Sequence, residues 1–131
     1  MSKFFKGSRE SVLLPVTAHC MADGGSDAKV NFKVRYRRPA HTEVKELKEL
    51  AANGLTDDEL AKRLVITWQD VVDGNDQPIE YSAEALAEAL ETHGYREAIV
   101  RGACVVVFGK KETEALEAVR LKNLQKSAAP G

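Results

Sequence analysis

The amino-acid sequence predicts an α+β fold that is mostly α-helical, with an N-terminal antiparallel β-hairpin followed by about four to five packed helices. Apolar and polar residues alternate strictly over residues 30–37, as they do in a half-buried strand. After Pro39, apolar residues recur three and four positions apart, as they do on one face of a helix. Capping and turn residues divide this second part into segments of helical length.

The predicted β-hairpin covers residues 11–38. Its second strand places four apolar residues on one face: Val30, Phe32, Val34 and Tyr36. The first strand alternates in the same way from Val12 to Cys20, although Pro15 places it at a sheet edge or a bulge. A Gly-rich turn at residues 23–27 joins the two strands. An isolated hairpin is marginally stable, so we expect its apolar face to meet helices or another copy of the protein.

Four segments carry helix signals. Thr42–Asn53 has an apolar face and is followed by Gly54, which suits a helix end. Thr56–Glu59 forms a capping box at the start of the next helix. Ser82 is a good N-cap for a third helix, which stops near residues 93–94. Lys111–Lys126 reads as an amphipathic helix.

Two segments stay open between helix and strand. In residues 65–72, the run of β-branched residues with Trp68 favours a strand, whereas the spacing of Leu64, Trp68 and Val71 fits a continued helix. Residues 95–109 are rich in β-branched residues, but their length favours a helix.

Length and composition predict one domain spanning residues 1–131, with a helical part at 41–126 and disorder at 1–10 and 127–131. The net charge of −1 argues against a general nucleic-acid binder. No apolar run suits a signal peptide or a membrane span, so we expect the protein to act where it is made. Cys20 and Cys104 fit two thiols in a reducing cytosol, and a single disulfide is the alternative.

No motif in the sequence predicts catalysis, a cofactor or a metal. The three His residues are dispersed, and no phosphate-binding glycine loop or nucleophile elbow is present. The acidic turn at 73–76 has some of the ligands of a Ca²⁺ loop that would start at Asp73. Such a loop would place Pro78 at the sixth position, where the sharp turn requires Gly. We therefore expect a non-enzymatic protein without a cofactor.

Two regions of opposite charge are the candidate binding surfaces. Residues 29–38 hold five Lys or Arg and no acid, whereas residues 67–91 hold seven acids and no Lys or Arg. The two regions could pair within one subunit or between subunits. Trp68, the only Trp, fits either the core or an interface. The candidate residues for partner binding or self-association are Lys33, Arg35, Arg37, Arg38, Trp68, Asp70, Asp73, Asp76 and Glu80.

The order and the local sequences of these segments resemble those of a known family. The segments that carry the resemblance are Arg-Tyr-Arg-Arg-Pro at 35–39, Glu43–Leu47, Gly54–Leu64, Ile66–Asp73, Pro78–Ser82 and Tyr95–Val100. A leucine-bearing helix and a final charged helix complete the series. Over roughly residues 30–126, the chain resembles the tail assembly chaperones of long, non-contractile-tailed phages and their prophages.

The resemblance implies a non-enzymatic role in the host bacterial cytoplasm. Proteins of this family bind the long, helical tape measure protein, present it to the tail tube protein and are absent from the finished particle. They commonly self-associate, and many have a longer form made by ribosomal frameshifting. Two other functions stay open from the residues alone: a generic α+β protein-interaction adaptor, and a small nucleic-acid-binding regulator that uses the basic strand 29–38.

Overall fold

The described residues form a three-stranded antiparallel sheet and five α-helices, so the predicted α+β class is confirmed. The computed structural model describes residues 10–128, with side chains through Lys122 except that of Arg120. The elements in chain order are β1 (Ser11–Met21), β2 (Asp27–Arg37), α1 (His41–Ala52), α2 (Asp57–Leu64), β3 (Val65–Gln69), α3 (Ala83–Leu90), α4 (His93–Phe108) and α5 (Lys110–Ala128). The predicted disorder of residues 1–10 and 127–131 falls outside the described residues, except at Glu10 and at 127–128, which close α5.

The sheet has the strand order β1-β2-β3. The predicted hairpin is present, and its register pairs Leu14 with Val34 and Val16 with Phe32. β3 adds antiparallel to the free edge of β2, with Trp68 opposite Val34. The open segment at 65–72 therefore begins as a strand, and the predicted helical part at 41–126 is interrupted there. Its β-branched residues suit a strand, and the edge of β2 supplies backbone partners.

The helix α4 lies across β1 and β2 and forms most of the core with them. Phe32, Val34 and Tyr36 are buried on the sheet face that meets it. Its own buried side chains include Ile99, Ala103 and Val107. The segment 95–109, which the sequence left open, is helical through Phe108 as part of the sixteen-residue α4, and Gly109 is the C-cap that follows it.

Tyr36 and Gly102 fit together where β2 meets α4. The Tyr36 hydroxyl donates a hydrogen bond of 2.7 Å to the Ile99 carbonyl oxygen. A Cβ added at Gly102 would lie 2.6 Å from Tyr36 Cζ, closer than real Cβ atoms come to other atoms. Burial, with a smaller contribution from Cys104, raises the pKa of Tyr36 well above its ordinary value. The absence of a side chain at Gly102 therefore allows the close approach of strand and helix.

The helix boundaries follow the predicted capping signals. Thr56 Oγ1 accepts a hydrogen bond of 3.2 Å from the Glu59 amide, and Ser82 Oγ accepts one of 3.0 Å from the Ala85 amide. At the end of α1, the Leu55 amide donates to the Leu50 carbonyl at 2.8 Å. This bond closes the helix end with Gly54 at the position that the sequence indicated.

The helix α5 forms where the sequence predicted a helix, but its apolar residues are not buried. Leu116 and Val119, two residues of its predicted apolar face, are 46% and 54% exposed. Thr113 is the one buried residue among the described side chains of α5. Among the residues that the structure describes, nothing covers the apolar side chains Leu116, Val119 and Leu121 of α5.

Candidate partner-binding surfaces

The described residues hold no cluster of side chains that could bind a metal ion. Within residues 10–128, no three His, Cys, Asp or Glu side chains come together in a group that could hold a metal ion. His19 contacts Asp27 at 3.2 Å and His93 contacts Glu97 at 3.2 Å, and all four side chains are largely exposed. Cys20 and Cys104 are partly buried and are not joined by a disulfide. Among the described helices, none is long and apolar enough to cross a membrane.

Some of the basic side chains of residues 29–38 are engaged in contacts within the chain. Both terminal nitrogens of Arg37 donate to the Glu43 carboxylate, at 2.6 and 2.7 Å. The hydrogen bonds from Arg37, followed by its charge, lower the pKa of Glu43. Arg35 donates to Ser11 Oγ at 3.0 Å, and Arg38 donates to the Ser11 carbonyl oxygen at 3.4 Å. Lys33 and Arg38 are exposed, whereas Arg35 and Arg37 are half-buried.

The basic strand and the acidic region do not pair within the described chain. In residues 10–128, no ion pair joins the cations of 29–38 to the acids of 67–91. Lys33 lies opposite Gln69 in the register of β2 and β3, and Arg35 lies opposite Thr67. The intramolecular form of the charge-pairing hypothesis is therefore not observed, and pairing between subunits stays a prediction.

The acidic turn after β3 is closed by its own hydrogen bonds. Asp73 Oδ1 accepts from the amides of Asn75 at 2.8 Å and Gln77 at 3.0 Å. Val72 and Pro78 form an isolated antiparallel bridge on either side of this turn. Asp76 has a φ of 59°, which Asp tolerates better than most residues. The Asp73 carboxylate thus holds the turn, whereas the Asp76 side chain is exposed to solvent.

Trp68 fixes this turn to the sheet. It is 7% exposed, and its Nε1–H donates a hydrogen bond of 2.8 Å to the Ile79 carbonyl oxygen. Its ring meets Tyr81 edge to face, with 5.2 Å between centroids. Burial raises the pKa of Tyr81. Trp68 is therefore a core residue, one of the two placements that the sequence left open, and the part of its side chain that borders an open groove keeps it a candidate for partner binding.

That groove is the most distinctive concave feature beside the acidic turn, and we call it the acidic-rimmed groove. It has a volume of about 510 Å³ and lies between the turn, α3, the start of α4 and the tip of the hairpin. Its apolar lining includes Trp68, Val71, Val72, Ile79, Ala89 and Tyr95. Its acidic rim consists of Asp73, Asp76 and Glu88. Asp70 and Glu80, which the sequence grouped with these acids, are exposed but do not line it.

The sequence identified part of the acidic-rimmed groove and missed the rest. Asp73 and Asp76 were candidates because they stand in one acidic run. Glu88 and Ala89 come from α3, and Tyr95 comes from α4. Their spacing in the sequence gives no sign that they meet. The one available signal was the continuation of the acidic run through Glu88 without any Lys or Arg.

A second concave region, of about 500 Å³, lies between α2 and α3. Its lining mixes signs, because Lys62 stands beside Asp58, Glu88 and Glu91. Asp58 also forms an ion pair with Arg96 of α4. This region therefore lacks the single sign of charge that marks the acidic-rimmed groove.

The helix α5 supplies an exposed apolar patch formed by Leu116 and Val119, which stand three positions apart on one face and are 46% and 54% exposed. Leu121, on another face of the helix, is 58% exposed. The contact of α5 with the rest of the chain is made mainly with α4, and Glu117 accepts from Arg101 Nε at 2.9 Å. Large apolar side chains that remain exposed on one element often mark a protein-binding surface.

Comparison of the chain with protein-family models, with curated proteins and with solved structures gave no match.

Proposed function

We propose that this protein is a phage tail assembly chaperone that binds the tape measure protein and promotes assembly of the tail tube. It acts without catalysis in the cytoplasm of the bacterial host and is absent from the mature virion. The observation that carries the proposal is the exposure of Leu116, Val119 and Leu121 on the helix α5. The resemblance of residues 30–126 to such chaperones gives this exposed surface its proposed partner.

A long helical client needs its apolar faces covered before assembly. Its helices expose apolar faces that associate with one another unless a partner covers them. A small protein that presents its own apolar side chains on a stable scaffold provides such a cover. The core of α4 and the sheet gives the scaffold, because it is built from side chains that do not take part in the exposed patch.

Co-expression tests this proposal. The chain should be produced with the long helical protein encoded beside it, and the soluble fraction of that protein should be measured with and without the chain. We expect co-purification and an increase in the soluble fraction. A client that remains insoluble, or that is soluble and never binds the chain, would contradict the proposal.

A double variant on α5 tests whether its exposed apolar side chains bind the client. Replacing Leu116 and Val119 with Ser should reduce co-purification, because it removes two exposed apolar side chains from one helix. Replacing Ala115 and Ala118 with Ser serves as the control, since both positions are exposed on the same helix but carry little apolar surface. Equal losses in the two variants would show that the apolar patch is not the contact.

Two observations on the whole system complete the test. The proposal predicts a tail tube gene upstream of the coding sequence and a very long helical reading frame downstream. It also predicts that mass spectrometry of purified tails detects the tail tube and tape measure proteins but not this chain. Unrelated neighbouring genes, or the chain in stoichiometric amounts in finished tails, would contradict it.

Self-association is part of the proposal, and charge reversal tests its electrostatic form. Lys29 and Lys33 are exposed, whereas Arg37 is engaged by Glu43. Replacing both lysines with Glu should therefore reduce the oligomer size in light scattering without breaking an ion pair within the chain. An unchanged size would exclude pairing of the basic strand with the acidic region of another copy. Salt-sensitive binding of nucleic acid would instead favour the regulator alternative.

A further inference from the structure

The acidic-rimmed groove combines an apolar floor with charge of one sign. The floor is formed in part by Trp68, Val71, Ile79 and Ala89, which come from β3, the acidic turn and α3. Trp68 is held in place by its hydrogen bond to the Ile79 carbonyl oxygen. The floor is therefore a fixed part of the fold and requires no rearrangement before a ligand binds.

The acidic rim carries charge that the chain does not neutralise. Asp73, Asp76 and Glu88 are exposed, and among the described residues no Lys or Arg lines the groove. Among the described residues, none of these three acids forms an ion pair. Acids of one sign beside an apolar surface raise the local concentration of cationic partners and favour their binding.

We propose that the acidic-rimmed groove binds a helix of a partner protein whose apolar face is flanked by Lys or Arg. This inference rests on the proposed function, because it assigns a binding site for helical segments of the client. The apolar anchors of the helix cover Trp68 and Ile79, and its basic residues approach Asp76 and Glu88. The charge complementarity predicts that helices with acidic flanks are rejected.

The volume of the groove, about 510 Å³, is enough for a few anchoring side chains of a helix, since pockets of this size hold small molecules. Helices that bind in grooves insert anchors spaced three, four and seven residues apart. Ile79 is 37% exposed, so a bound anchor would remove substantial apolar area from water.

Trp68 provides a direct optical test, because it is the only Trp of the chain and lines the groove. The probes are two synthetic Trp-free helical peptides of about 18 residues, or five turns, with the same Leu face. One carries Lys on its polar face and the other carries Glu. The Lys peptide should change Trp68 fluorescence saturably, and its affinity should fall as salt rises. The Glu peptide should bind at least about tenfold more weakly.

Variants at the rim separate this site from general charge effects. The double variant Glu88→Lys with Asp76→Asn should weaken the Lys peptide by at least about tenfold. Asn tolerates the positive φ of Asp76, and Lys suits the helical position of Glu88. Glu46→Lys is the control, because Glu46 is an exposed acid on α1 that does not line the groove. It should change affinity by less than about twofold, and thermal melting should show that all variants remain folded.

Three results would overturn the inference: equal binding of the two peptides, unchanged affinity in the rim variant, or binding that leaves Trp68 fluorescence unaltered. Fluorescence that depends on protein concentration without peptide, and loses this dependence in Glu88→Lys, would assign the groove to a second copy instead and also overturn it.

The peptide test does not use the tape measure protein. A groove that passes it while the chain fails to co-purify with that protein would refute the proposed function alone. Undiminished co-purification by the rim variant would refute the client assignment alone.

Discussion

The consecutive helices α4 and α5 use their apolar residues in opposite ways. α4 buries Ile99, Ala103 and Val107 against the sheet and neighbouring helices. α5 leaves Leu116 and Val119 about half exposed. The difference follows from what each helix faces, because two strands lie under α4, whereas α5 meets mainly α4 itself. Apolar residues thus stabilise the fold in one helix and remain available for a partner in the other.

The largest effect is expected where α4 approaches the sheet most closely. Gly102→Ala would place a Cβ against the Tyr36 ring, so we expect a loss of about 3 kcal/mol in the free energy of unfolding, measured by urea denaturation. Gly74→Ala is the matched control, because a Cβ there meets nothing within 4 Å. It should change stability by less than about 0.5 kcal/mol.

The sign of the Gly102→Ala effect is decisive. Without the close approach, Ala inside a helix would be more stable than Gly by up to about 1 kcal/mol. A stabilised Gly102→Ala variant would therefore contradict the packing of α4 on Tyr36.

A smaller loss is expected from the hydroxyl group at the same junction. Tyr36→Phe removes the hydrogen bond to the Ile99 carbonyl oxygen and should cost about 1 kcal/mol near neutral pH. The folded state also holds the Tyr36 proton more tightly, because its pKa is raised. The stabilisation is therefore complete below the unfolded pKa of about 10 and declines as the pH rises above it.

Urea denaturation of wild type and Tyr36→Phe at about pH 8 and about pH 11 measures this linkage. The stability difference between the two proteins should shrink, or reverse, at the higher pH. A difference that is the same at both values would show that Tyr36 ionises as readily in the folded protein as in the unfolded one.

The ion pair between α4 and α5 should contribute still less to the free energy of unfolding. Arg101 of α4 donates to Glu117 of α5, and both side chains are about half exposed. Because solvent screens such a pair, Glu117→Gln should cost at most about 0.5 kcal/mol in thermal or urea unfolding. A loss of several kcal/mol would indicate that α5 is bound to the core much more firmly than its exposure implies.

A small effect on stability is also expected from substitutions on the exposed side of α5. Replacing Leu116 and Val119 with Ser should change the free energy of unfolding by less than about 1 kcal/mol, because both side chains are largely exposed already. Val107→Ser in α4 is the counterpart, and it should cost more than about 2 kcal/mol because Val107 is 5% exposed. Similar losses in both helices would remove the distinction between them.

Local signals predicted much of the fold, whereas contacts between distant residues could not be predicted. The alternation in β2 and the caps at Thr56 and Ser82 act within a few residues of themselves, so the sequence displays them. The strand β3 depends on the free edge of β2, which lies some thirty residues earlier in the chain. Residues 65–69 carry both helical and strand signals, and only their pairing with the edge of β2 decides that they form a strand.

The acidic-rimmed groove shows the same limit at the level of function. The acidic run that includes Asp73 was visible, but the meeting of Trp68, Ala89 and Tyr95 depends on how α3 and α4 pack. The role of Gly102 was likewise hidden, since its partner Tyr36 lies in another element. Burial places Trp68 in the core, and part of the same side chain lines the groove.

Hydrogen–deuterium exchange of the chain alone and bound to the tape measure protein tests the central claim most directly. The claim is that the core of α4 and the sheet holds the fold, while α5 and the acidic-rimmed groove bind the client. Binding should slow exchange in α5, in residues 71–79 and in α3, and should leave the buried amides of α4 unchanged. Protection confined to α4 and β1, or no protection at all, would contradict the account.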